Sequence, residues 1–195
     1  MQLTRTHLAG IFALSMSSCY GCTREKSNEK KAVSPGRASA ANSRQALGEA
    51  ALEPKNSSTI AGNALFSVIP NGVKVVVNIT GGTPGRLGIH IHEKGDCSAT
   101  DASSAGGHFN PTGSEHSGPD HSVRHVGDLG NIFVEQDGTG LLVAEIGDPK
   151  GFSEWDSIVG KSVVIHEKAD DFKTQPTGDS GKRVACGVIR LSDVQ

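Results

Sequence analysis

The chain has 195 residues, among them 25 glycines, 8 histidines and 4 cysteines, with only 4% aromatic residues. That length allows one domain with a substantial core and leaves room for an appendage. Charge is unevenly placed: residues 1–43 carry six Lys/Arg against two acids and the rest carries 13 against 19, so the body of the chain is acidic and poorly suited to nucleic acid, whose phosphates require basic surfaces.

Residues 1–22 are organised like an export signal. Arg5 precedes an apolar run from Leu8 to Met16, then Ser17, Ser18 and Cys19 follow. The run is too short to span a bilayer as a helix. Cys19 after two small residues resembles a bacterial lipoprotein processing site, although Met16 stands where leucine is usual and Cys22 competes with it. The expectation is an exported protein of the periplasm or cell envelope, tethered to the membrane through a lipid on Cys19; an ordinary signal peptide is the alternative. Residues 23–43, TREKSNEKKAVSPGRASAANS, offer too little apolar surface to offset the entropy of ordering them, and read as a flexible linker.

Residues 44–195 form the expected domain. Short Val/Ile-rich runs bounded by turn residues predict strands near 45–53, 58–68, 73–80, 86–93, 128–134, 140–146, 162–167 and 184–191. In the third of these, Val73, Val75, Val77 and Ile79 share one face. Eight short strands without a long helix predict an all-β fold, an antiparallel Greek-key sandwich or barrel. Two long connections interrupt it, 94–127 and 168–183, and loops of that length in a compact domain are usually functional.

Six of the eight histidines fall between Gly88 and Asn131. Strand alternation in GIHIHE turns Ile89 and Ile91 toward one face and His90 and His92 together toward the other. A lone His-x-His is a weak signal, most often a pair of surface histidines. The following loop, however, adds His108, His116, His125 and Asp128, and a later strand ending VVIHE adds His166. Imidazole suits copper and zinc, and a mixed nitrogen and carboxylate tetrahedron suits zinc. Seven donors are too many for one such site and enough for two that share a ligand.

The segments HIHEKGDCSA, GGHFNP, RHVGDLGN, VVIHEKADD and GKRVACGVI together resemble the copper/zinc superoxide dismutase family over residues 44–195. The resemblance implies dismutation of superoxide anion to dioxygen and hydrogen peroxide, with copper and zinc as cofactors. By position it makes His90, His92, His108 and His166 copper ligands and His108, His116, His125 and Asp128 zinc ligands, with His108 as the shared bridge. Asp170 would accept hydrogen bonds from His90 and His116, although by itself either Asp170 or Asp171 reads as a solvated loop acid. Arg183 would guide the anion, aided by a cationic group of Lys168, Lys173 and Lys182, and Thr177 would line the channel. Cys97 and Cys186 would form a disulfide, which an exported chain tolerates.

Some residues stand apart from the resemblance. Leu87 replaces a histidine common in the family, and the packing around it is expected to adapt. His121 is extra to the ligand set, a solvated loop residue or an auxiliary metal contact; Trp155 is expected to be a partly buried loop aromatic. Two other function classes compete. A metal carrier would need the same donors but no guiding arginine, and an interaction domain would tolerate gaps in the donor set. Whether the chain pairs as a homodimer stays open at this level.

Overall fold

The computed structural model describes residues 48–70, 72–147 and 157–192. The expected leader and linker, Cys19, Cys22 and Trp155 lie outside the described residues. Nine strands follow in chain order: β1 (Gly48–Pro54), β2 (Ala61–Ile69), β3 (Gly72–Thr80), β4 (Gly85–His92), β5 (Asp128–Val134), β6 (Gly140–Gly147), β7 (Ser162–His166), β8 (Arg183–Val188) and β9 (Arg190–Leu191). Their order in the sheet is β2-β3-β6-β5-β4-β7-β8-β1-β9, and β1 also pairs with β2. The first eight strands therefore close into an antiparallel barrel, which removes exposed edges. The neighbours β3–β6 and β4–β7 are not consecutive, which is the Greek-key connection. No helix among the described residues is long and apolar enough to cross a membrane.

The alternation expected for β3 holds: Val73, Val75, Val77 and Ile79 are buried in one core with Phe66, Ile89, Ile91, Ile132 and Ile165. Leu87 joins that core, with 5% of its surface exposed, opposite Ile132. An aliphatic side chain thus fills this place.

Differences from the sequence reading lie at strand ends. The second strand starts at Ala61 rather than 58, because Ser58 Oγ donates to Val184 O and accepts from Ile60 N, a local capture that keeps these residues out of the ladder. The expected last strand, 184–191, is broken at Ile189 into β8 and β9. Both pieces keep one register against β1, with Glu53 opposite Cys186 and Glu49 opposite Arg190. Between them, Ile189 donates to Lys161 O and accepts from Gly160 N, both at 2.9 Å. Arg183, placed by the sequence in the preceding loop, is the first residue of β8.

The 94–127 connection is tied down rather than loose. Cys97 and Cys186 form a disulfide across 89 residues, and a small cluster of Ala102, Ala105, Val164 and Cys186 packs beside it. In the chain-entropy picture, closing a loop of that length stabilises a fold by up to roughly 4–5 kcal/mol. Further along, Phe109 N donates to Ile91 O and Glu93 N to Gly107 O, so residues 107–109 add a short bridge to β4 that sets His108 opposite His92.

Candidate metal centre

The donors expected from the sequence meet on the outer face of the barrel beside β4 and β7, on the side of these strands away from the core residues Ile89, Ile91, Val163 and Ile165. His90 and His92 end β4, His166 ends β7, and Asp128 begins β5. The ladder slips one residue between Ile89 and His90 against β5, and again between Ile165 and His166 against β8. Such bulges re-aim side chains and occur beside functional sites; here each falls at a donor histidine. The second also sets Arg183 directly opposite His166.

Two groups result, each with its ligand atoms within 4.8 Å of one another: His90, His92, His108 and His166, and His108, His116, His125 and Asp128. All seven residues are buried. In the first group each ring has one nitrogen engaged and the other free. His90 Nε2 bonds Asp170 Oδ2 at 2.7 Å, His92 Nδ1 donates to Gly106 O at 2.9 Å, and His166 Nδ1 donates to Gly181 O at 3.2 Å. A carbonyl only accepts, so for His92 and His166 the proton is fixed on Nδ1 and the lone pair on Nε2. The nitrogens left over, His90 Nδ1, His92 Nε2, His108 Nε2 and His166 Nε2, are buried without a hydrogen-bond partner. Buried polar atoms are ordinarily satisfied. Four orphaned lone pairs facing one another have the chemistry of an imidazole site for copper.

The second group is tighter. Asp128 Oδ1 lies 2.9, 3.0 and 3.2 Å from Nδ1 of His108, His116 and His125, and His125 Nδ1 lies 3.3 Å from His108 Nδ1. Ligands about 2.0–2.1 Å from a tetrahedral zinc stand about 3.3 Å apart, close to these separations. His116 Nδ1 is near Asp128 yet makes no hydrogen bond, as when two ligand atoms point at a common centre rather than at each other. Three imidazoles and one carboxylate fit zinc. His108 belongs to both groups, Nδ1 toward one and Nε2 toward the other.

Asp170 joins the groups through His90 Nε2 and, at 2.9 Å, His116 Nε2. Asp171 instead binds its own loop through Thr174. Asn131 holds Asp170 in place: its Oδ1 accepts from Asp170 N at 2.7 Å and its Nδ2 donates to Asp170 O at 3.0 Å. The sequence reading missed Asn131; a polar residue inside an otherwise apolar strand was the available signal. It also missed Gly178, at φ +67°, where a Cβ would overlap both Asp170 Oδ1 and His116 Nε2.

Arg183 donates through Nη1 to Ala102 O and through Nη2 to Gly106 O, each at 2.6 Å. Gly106 O also receives His92 Nδ1, so one carbonyl separates the guanidinium from the first group. Thr177 is half-buried in the same loop and its carbonyl accepts from Ser180 Oγ. Lys168, Lys173 and Lys182 are exposed. His121 is exposed and belongs to neither donor group; with Asp120 and Arg124 it lines a surface cavity of about 560 Å³.

Burial pushes the His108 pKa down to about 4 against the opposing pull of Asp128, and that of His166 down to about 3. Burial works the same way on His116, but Asp128 and Asp170 outweigh it and raise that ring to about 9. An unfolded histidine titrates near 6.5. Below that value the unfolded chain takes protons that folded His108 and His166 refuse, so stability falls toward pH 4 and 3; above it, the stabilisation from protonated His116 is lost as pH rises through about 9. Chelator-stripped protein is therefore expected to be most stable near pH 6.5, with a melting temperature that declines on both sides. A melting profile flat from pH 4 to 9 would contradict these assignments.

Comparison with known proteins agrees with this chemistry. The family model for copper/zinc superoxide dismutase matches residues 60–189. The extracellular Cu-Zn superoxide dismutase of Drosophila melanogaster is 40% identical over 141 residues, 68% of this chain and 76% of its own length. That of Caenorhabditis elegans is 44% identical over 124 residues, 60% and 55%. The rat copper chaperone for superoxide dismutase is 38% identical over 153 residues, 75% and 54%. The chain thus spans about half the length of the rat and nematode proteins. A crystal structure of the clock protein EA4 superposes with a TM-score of 0.63 at 39% identity, covering 76% of this chain and 96% of that one. With its closed barrel, its two donor groups and a family match over most of the described residues, the chain belongs to the copper/zinc superoxide dismutase family.

Proposed function

We propose that the protein dismutates superoxide, with copper held by His90, His92, His108 and His166, zinc held by His108, His116, His125 and Asp128, and His108 as the bridge. The observation that carries this reading is the set of four buried, unpartnered ring nitrogens converging beside Arg183. Two superoxides and two protons become one dioxygen and one hydrogen peroxide, so the chain must attract an anion and deliver protons. Bound copper would supply the one-electron redox couple, and zinc a redox-inert cation. Arg183 uses two of its five N–H donors on loop carbonyls, which leaves others to hold the anion. His108 Nε2, turned to the copper side, would take up a proton when it is not ligating and give it to the departing peroxide. Asp170, gripped by Asn131, keeps the rings of His90 and His116 oriented. Thr177 lines the wall of the anion's path.

In the same reading residues 1–22 direct export to the cell envelope, Cys19 carries a lipid, residues 23–43 form the tether and residues 44–195 perform the reaction. The similarity to a copper chaperone gives a second reading, transfer of copper without turnover. Metal analysis of the purified protein beside a superoxide assay separates the two. One copper and one zinc per chain with rapid dismutation support the enzyme; stoichiometric copper without turnover supports the carrier.

A further inference from the structure

His116 differs from the other donors in what fixes its backbone. His90, His92 and His166 lie on strands, His108 on the short bridge to β4, and His125 N donates to Asp128 Oδ2 at 3.0 Å. His116 sits in coil. Its main chain is nevertheless bound at both polar atoms by one side chain 59 residues away: His116 N donates to Gln175 Oε1 and Gln175 Nε2 donates to His116 O, both at 2.8 Å. This is the double bond that a neighbouring strand would make, supplied by a primary amide. Because each partner's role is set by the backbone, the amide can sit only one way round, and a second donation from Nε2 to Lys173 O at 3.3 Å agrees with it.

We infer that Gln175 is a positioning residue for the zinc ligand His116, its amide standing in for a missing strand. The 168–182 loop then grips His116 at three points, two on the backbone from Gln175 and one on the ring from Asp170. Backbone and ring held together determine where Nδ1 points relative to Asp128 Oδ1. The inference deepens the zinc reading proposed above and rests on it.

The test uses the full-length protein, stripped and reloaded. Gln175→Met keeps the side chain's length and removes both hydrogen bonds. Gln175→Glu keeps the acceptor for His116 N and sets an oxygen against His116 O. Thr174→Val, which cuts the Thr174 Oγ1 to Asp171 Oδ2 bond in the same loop, controls for general loosening. Zinc affinity is measured by chelator competition, copper affinity in parallel, and the zinc-site geometry by the visible spectrum of the cobalt-substituted protein. Both Gln175 variants are expected to bind zinc about ten- to hundredfold more weakly, the range for partners that orient a ligand. Their cobalt spectra are expected to shift, copper affinity to hold, and Thr174→Val to match the wild type. Zinc affinity within twofold of wild type with an unchanged spectrum overturns the inference, whatever happens to melting temperature. So does an equal loss in Thr174→Val, or an equal loss of copper. If the wild-type protein itself binds no zinc, the zinc reading fails instead, a distinguishable result.

Discussion

His108→Ala is expected to lose both metals' proper sites at once and to lower dismutation by more than about a thousandfold, the scale on which removing a reacting group acts. The ring is the one residue common to the two donor groups. Its Nδ1 lies 2.9 Å from Asp128 Oδ1 and its Nε2 is one of the orphaned nitrogens. His125→Ala gives the contrast. That residue touches only the second group, so zinc and thermal stability should suffer while copper remains. Copper and zinc contents of both variants, measured beside activity, decide the matter: a His108 variant that loses zinc alone would remove the shared role.

Arg183→Ala is expected to keep copper and zinc and lose about ten- to hundredfold in rate, within the range of about ten- to thousandfold by which a local field raises capture of a charged substrate. The guanidinium lies opposite His166 and shares the Gly106 carbonyl with His92, yet belongs to neither donor group. Wild-type activity should fall as salt rises, because screening lengths shrink to about 8–10 Å near physiological ionic strength. The variant should show a flatter salt dependence. Arg183→Lys should retain part of the rate, since it keeps the charge but not the planar fork. Copper transfer has no small anion to attract, so a metal-replete protein indifferent to Arg183 and to salt would favour the carrier.

Most of the barrel could be read from local pattern, for a local reason. Alternation at Val73, Val75, Val77 and Ile79 marks β3, and β5 spans the expected 128–134 because its burial is decided by its own residues. The donor residues were legible as well, since metal chemistry restricts them to a few types. What escaped was set by partners far away in sequence. The break at Ile189 depends on Gly160 and Lys161, the grip on Asp170 on Asn131, and the hold on His116 on Gln175. Each is a contact with backbone, which any residue type presents, so no residue pattern names the partner; only Asn131, polar within its strand, leaves a mark. The bulges at His90 and His166 are of the same kind: a slip in register exists only between two strands.

The two donor groups also differ in what builds them, and that bears on the order in which the protein matures. Three of the first group's four histidines are carried by β4 and β7 and the fourth by a bridge from the long connection to β4, so closing the barrel already sets three of that cradle's four donors. The second group spans a stretch of coil from His108 to the start of β5, and its members meet only when that coil has taken its shape. Folding and metal capture are one event there. Maturation should therefore run from zinc to copper, with the first ion completing the molecule's shape and the second entering a finished socket, late enough to be supplied wherever the folded chain has come to rest.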